Sequence, residues 1–96
     1  MIIAIDYDGT WSADPALFEQ FARDARERQH EVLVITNRSP EQAIIVPGMT
    51  VIYACGRPKR NVALESGHNV TVWIDDNPAF VDLGPGGATA LGIRIA

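Results

Sequence analysis

A chain of 96 residues with near-half apolar content and few aromatics has the length of one small domain, and the composition of a folded protein rather than a disordered one. Its formal charge of −4 excludes a generally basic surface for nucleic acid. The single Cys55 forms no internal disulfide, no apolar run approaches the ~20 residues of a membrane span, and Asp6 interrupts the opening apolar stretch before it resembles a signal peptide, so a cytoplasmic setting is expected.

The first apolar run, Met1–Ile5, reads as a buried strand, and Asp6-Tyr7-Asp8-Gly9-Thr10 follows it directly. A helix comes next, with Asp14 as N-cap and Pro15 at its first position. Leu17, Phe18, Phe21, Ala22 and Ala25 form its apolar stripe, while Glu19, Arg23, Arg26 and Glu27 face water. Val32–Thr36 is the second strand. Ser39-Pro40-Glu41-Gln42 fits a capping box and predicts a helix of about two turns that stops before Pro47.

Thr50–Cys55 reads as a third strand, roughly Pro58 to Ser66 as a helix ending at Gly67, and Val70–Ile74 as a fourth strand. A short helix from Pro78, capped by Asn77, precedes the loop Leu83-Gly84-Pro85-Gly86-Gly87, and Gly92–Ala96 is a fifth apolar run. Strands alternating with helices predict an α/β fold with a mostly parallel sheet and right-handed crossovers, all in a single domain over 1–96. Sites in such sheets form beyond the carboxyl ends of the strands.

The residues expected at those ends carry chemistry. Asp6 and Asp8 end the first strand, Thr36 with Asn37 and Arg38 the second, and Asp75-Asp76 the fourth, while Lys59 starts the helix before that fourth strand. Setting aside the four aspartates leaves eight acidic residues against eight basic ones, so the net acidity is assignable to this one place. Carboxylates that close raise each other's protonation cost unless a cation or an electrophile lies between them.

Phosphoryl transfer uses all of these groups. Asp6 can attack phosphorus to form an aspartyl-phosphate, and Asp8 can protonate the leaving oxygen and then deprotonate water. Mg²⁺ can bridge Asp6 and the Asp75/Asp76 pair. Thr36 and Lys59 supply a hydroxyl and a positive charge to the phosphoryl oxygens. Asn37, Arg38, Arg57 and Arg60 are further candidates for substrate contact, and any of Arg57, Lys59 and Arg60 is placed to reach the phosphate. Each has a plainer reading as well: Asn37 and Arg38 in a turn, the basic trio as a solvated helix start. Trp11 and Trp73 read as packing residues more than as part of a site.

In this order the residues resemble the haloacid dehalogenase superfamily of phosphohydrolases. Asp6-Tyr7-Asp8-Gly9-Thr10 is similar to its first motif, the strand ending in Thr36 to the second, Lys59 to the third and Asp75-Asp76 to the fourth. The resemblance implies a three-layer Rossmann-like fold of about five mostly parallel strands in the order 5-4-1-2-3. It implies Asp6 as nucleophile and Asp8 as general acid/base. Metal ligation would come from Asp6, the Asp8 carbonyl and Asp75, with Asp76 a second ligand or an orienting partner.

Only six residues, Trp11 to Ala16, separate Thr10 from the body of the first helix, which leaves no room for the cap that many relatives carry. An open site is expected, suited to a nucleotide, a nucleic-acid end or another large phosphorylated substrate, or closed by a partner subunit in an oligomer. Nucleic acid enters only as substrate, and no membrane partner is expected. The alternative is a regulatory module of the same fold that binds phosphate or metal with little or no turnover.

Overall fold

The computed structural model describes residues 1–85. Four strands, β1 (Ile2–Asp6), β2 (Glu31–Thr36), β3 (Thr50–Tyr53) and β4 (Val72–Ile74), form one all-parallel sheet in the order β3-β2-β1-β4. The helices are α1 (Pro15–Glu27), α2 (Lys59–Glu65) and α3 (Ala79–Asp82). This is a Rossmann-like α/β arrangement. It differs from the expected five strands in the order 5-4-1-2-3: four are present among the described residues, and the candidate fifth, Gly92–Ala96, lies outside them, as does the end of the glycine-rich loop.

Side-chain alternation sorts the sheet into two faces. Ile3 and Ile5 of β1 and Val32 and Val34 of β2 pack with Ala22 and Ala25 of α1 and with Trp11 and Val46. Ala4, Leu33 and Ile35 point the other way, onto Ala54, Val62, Ala63 and Val70. The two central strands are therefore buried on both faces, which is why they read as unbroken apolar runs.

In α1 the cap is as expected: Asp14 Oδ1 accepts the Leu17 N–H at 3.2 Å, and Pro15 opens the helix. The stripe is narrower than expected. Ala22 and Ala25 are buried and Phe18 packs against them, whereas Leu17 and Phe21 are exposed. Two small alanines bring α1 close to the sheet along one line, and residues to the side of that line stay in water. Trp11 is buried and stacks on Phe18, with ring centroids 5.9 Å apart.

The two-turn helix expected after Ser39 is instead a single 3₁₀ turn, Pro40–Gln42. Its capping contacts do form, with Gln42 Oε1 accepting the Ser39 N–H at 3.3 Å. The chain then turns extended at Ala43 (φ −50°, ψ 143°). Ile44, Ile45 and Val46 are β-branched, and Pro47 pushes Val46 out of helical conformation, so a signal for a helix start is followed by residues that resist continuation. β3 stops at Tyr53, β4 begins only at Val72, and α3 begins after Pro78, with the Asn77 carbonyl accepting the Phe80 N–H. Cys55, read as part of an apolar run, is exposed in a left-handed turn (φ 53°). No helix among the described residues is long and apolar enough to cross a membrane.

Candidate functional site

β1 and β4 pair so that Ile5 lies beside Ile74, and Asp75 therefore comes level with Asp6. Asp6 continues the parity of Ala4, and Asp75 that of Trp73, both of which face the α2 side of the sheet. On that side α2 begins with Lys59. After β3, Cys55 and Gly56 both take left-handed conformations (φ 53° and 76°) and turn the chain back, so that the first residue of the helix sits over the end of β1. The turn is sewn to the loop after β2: Ala54, Cys55 and Gly56 donate their N–H groups to the carbonyls of Thr36, Arg38 and Asn37.

Lys59 is only 1% exposed. Its Nζ donates to Asp6 Oδ1 at 2.7 Å and to Asp75 Oδ2 at 2.6 Å, and Asp75 Oδ1 accepts the Asn77 N–H at 2.9 Å. An ammonium is buried in a protein of this size only where charges compensate it, because its desolvation is costly. Here two carboxylates do so, and a third is close: Asp6, Asp75 and Asp76 each offer an oxygen within 4.8 Å of the others.

Thr10 links Asp6 to Asp76. Its hydroxyl lies 3.2 Å from both Asp6 Oδ2 and Asp76 Oδ1, and accepts the Asp76 N–H at 3.2 Å. A hydroxyl has one proton to give, so only one of those carboxylate oxygens is fully served at a time. Three carboxylates against one ammonium leave the cluster with negative charge in excess. Burial is the main reason that the Asp6 carboxyl is raised from its ordinary 3.8 to about 6; Lys59 pulls it down, and Asp76 and Asp75 push it up.

Among the described residues Asp6, Asp75 and Asp76 form a group of hard oxygen donors that could hold a metal ion. Gly9 makes room for the Asp76 carboxylate: at φ +82°, a Cβ there would stand 2.4 Å from Asp76 Oδ2. Only glycine lets the turn after β1 pass that close to the Asp76 carboxylate.

Thr36 is wholly buried at the end of β2, beside Asp6, whose register partner is Ile35. Its Oγ1 accepts the Arg38 N–H at 3.2 Å, which leaves its own proton to donate. Asn37 follows, half-buried, with its side-chain oxygen buried and without a hydrogen-bond partner among the described residues.

Three expected site residues stand elsewhere. Asp8 does not join the carboxylate cluster; it is exposed and held by Arg38, whose Nε and Nη2 donate to its two oxygens at 2.9 and 2.7 Å. Arg38 also lies 5.5 Å from the centre of the Tyr7 ring, and its Nη1 donates to the Gln42 carbonyl at 3.3 Å. Arg57 lies in the turn before α2 and pairs with Glu65, the last residue of that helix, at 2.6 Å. Arg60 pairs with Asp82 at 2.7 Å and lies over Trp73. The backbone explains the split: Arg57 precedes α2 and Arg60 lies one residue beyond Lys59, so each takes another direction, toward Glu65 and toward Asp82 of α3.

Of the trio, Lys59 alone enters the cluster. Arg38 and Thr10 are the groups whose part the sequence understated. The signal for Thr10 was its place in the first motif; for Arg38 it was the two-residue step from Thr36. No known protein family, curated protein or solved structure matches this chain.

Proposed function

We propose that this chain is a small, capless phosphomonoesterase of the haloacid dehalogenase kind, working with Mg²⁺ and an aspartyl-phosphate on Asp6. The observation that carries the reading is the buried Lys59, bonded to both Asp6 and Asp75 across 53 and 16 residues of sequence. It supports the third and fourth motifs at once, since Lys59 was one of three basic candidates and Asp75 one of two carboxylates.

In this mechanism the Asp6 carboxylate attacks phosphorus, and the bond to the leaving oxygen breaks as Asp8 supplies its proton. Water then attacks the phosphorus, the bond to Asp6 breaks, and Asp8 takes the proton from that water. Lys59 spends two of its three N–H donors on Asp6 and Asp75, and the third is aimed at a phosphoryl oxygen, as is the Thr36 hydroxyl. Mg²⁺, when held by Asp6, Asp75 and Asp76 with the Asp8 carbonyl, would offset the repulsion between phosphate and carboxylates. The chain passes from Thr10 to α1 through one 3₁₀ turn, Trp11–Ala13, with no inserted cap between them, which supports a large substrate such as a phosphorylated nucleic-acid end.

Hydrolysis of p-nitrophenyl phosphate with Mg²⁺, and its loss with a chelator, tests the reading. Asp6→Asn is expected to lower the rate by about a thousandfold or more, as removal of a nucleophile does. A variant that kept the wild-type rate would sink the mechanism. A second reading, a phosphate- or metal-binding module without turnover, draws on one feature: both Asp8 oxygens are engaged by Arg38. Calorimetric binding of Mg²⁺ and phosphate, with no hydrolysis across a panel that includes 5′- and 3′-phosphorylated oligonucleotides, would favour it.

A further inference from the structure

Arg38 meets Asp8 with the fork of its guanidinium, two N–H groups on two carboxylate oxygens, and that geometry suits any anion that presents two oxygens. Its other contacts do not depend on Asp8. The Tyr7 ring beneath it and the Gln42 carbonyl beside it orient the fork from neutral groups. Its backbone is fixed twice, by its N–H on Thr36 Oγ1 and by its carbonyl, which accepts the Cys55 N–H. The guanidinium is thus held at the rim of the carboxylate site whatever anion fills the fork.

The pair is also exchangeable. The two side chains are 36% and 54% exposed, and an ion pair so open to water contributes little, so replacing Asp8 by another anion costs little. Lys59 is the contrast, buried between its carboxylates and not free to leave. Among the described residues no other arginine is paired with a carboxylate of the four motifs: Arg57 and Arg60 are engaged with Glu65 and Asp82. While Arg38 grips both its oxygens, Asp8 is exposed and stands apart from the group of Asp6, Asp75 and Asp76.

We propose that Arg38 selects the substrate by exchanging the Asp8 carboxylate for a second anionic group, phosphate or carboxylate, on the phosphomonoester. The exchange frees Asp8 to turn toward the leaving oxygen. It rests on the phosphatase reading above and narrows its substrate class to phosphomonoesters with a second negative group near the scissile one. A substrate with a single phosphate leaves the fork on Asp8. Because the second anion acts by releasing Asp8, its benefit falls on kcat as well as on KM.

Matched pairs test this: adenosine 3′,5′-bisphosphate against adenosine 5′-monophosphate, and 2-phosphoglycolate against 2-hydroxyethyl phosphate. Phosphate release with Mg²⁺ is measured for wild type, Arg38→Ala and Arg38→Lys. The wild type is expected to favour the second anion by about tenfold or more in kcat/KM, with part of the gain in kcat. Arg38→Ala brings the ratio close to one, and Arg38→Lys restores only part of it, since an ammonium lacks the fork.

A preference in the first pair alone assigns the second group as phosphate; in the second pair alone, as carboxylate. A wild-type ratio near one in both pairs overturns the proposal, as does a ratio that survives Arg38→Ala. Titration calorimetry of the same compounds into Asp6→Asn, with and without Arg38→Ala, reads the preference without turnover. If no compound is hydrolysed, the phosphatase reading fails, and the binding ratio decides the role of Arg38 by the same criterion.

Discussion

Two ion pairs of equal length, both 2.7 Å, flank the end of β1. Lys59 and Asp6 are buried, and Asp75 completes the inner group; Arg38 and Asp8 stand at the rim in water. Distance does not distinguish them, but solvent does. At the rim, water screens both charges and the pair is close to neutral in stability. Inside, each charge has lost its hydration, so each depends on its partners, and removal of one leaves the rest uncompensated. The inner group is therefore a fixed scaffold and the outer one a movable contact.

Removal of the inner cation is expected to have the largest effect on stability. Lys59→Met leaves Asp6 and Asp75 without their shared partner and should cost about 3–5 kcal/mol at neutral pH, read by urea denaturation of metal-free protein. A cost below about 1 kcal/mol would put the two pairs in one class and remove the distinction.

The next effect is a pH dependence. The folded-state Asp6 carboxyl titrates near 6, against 3.8 ordinarily, so the folded protein holds that proton more tightly than the unfolded chain. Its contribution to stability is fully present below pH 3.8 and is lost as pH rises through 6. The difference of about two pH units corresponds to about 3 kcal/mol. Chelator-treated wild type should therefore show this decline superposed on its other titrations, and Asp6→Asn should lack it. Identical profiles for the two proteins would show that Asp6 is not strained by its burial.

Gly9→Ala probes the turn that joins the two groups. A positive φ and a Cβ 2.4 Å from Asp76 Oδ2 predict a loss of about 1–3 kcal/mol and weaker Mg²⁺ binding, seen in thermal melts and metal titration. Arg38→Ala should have the smallest effect on folding, within about 1 kcal/mol, which a denaturation midpoint checks. A loss several times larger would mean that the rim pair supports the fold.

Much of this was legible in the chain, for identifiable reasons. β1 and β2 are buried on both faces, so their apolar runs stand out, and Asp14-Pro15 marks the start of α1 through purely local bonds. The helix after Ser39 misled because its start signal is local and genuine while the residues beyond it belong to another layer: Val46 is drawn into the core beside α1. Leu17 and Phe21 misled because helical periodicity says which residues share a face, but not how wide a strip the sheet covers.

The candidate site divides in the same way. Asp6, Thr36, Lys59 and Asp75 were legible because each occupies the end of an element, and a parallel sheet brings such ends to one edge. The division of labour among neighbours was not. Arg57, Lys59 and Arg60 are chemically alike, and only the left-handed turn at Cys55 and Gly56 determines which of them points over β1. Asp6 and Asp8 are alike too, yet strand parity carries the first inward to Lys59, while the glycine turn leaves the second at the surface with Arg38. By itself the sequence determined which elements form and which residues lie at their ends, because those follow from periodicity and local bonding. Which charges meet, and which of those meetings are dry, only the tertiary structure decided, since burial depends on how separate segments pack.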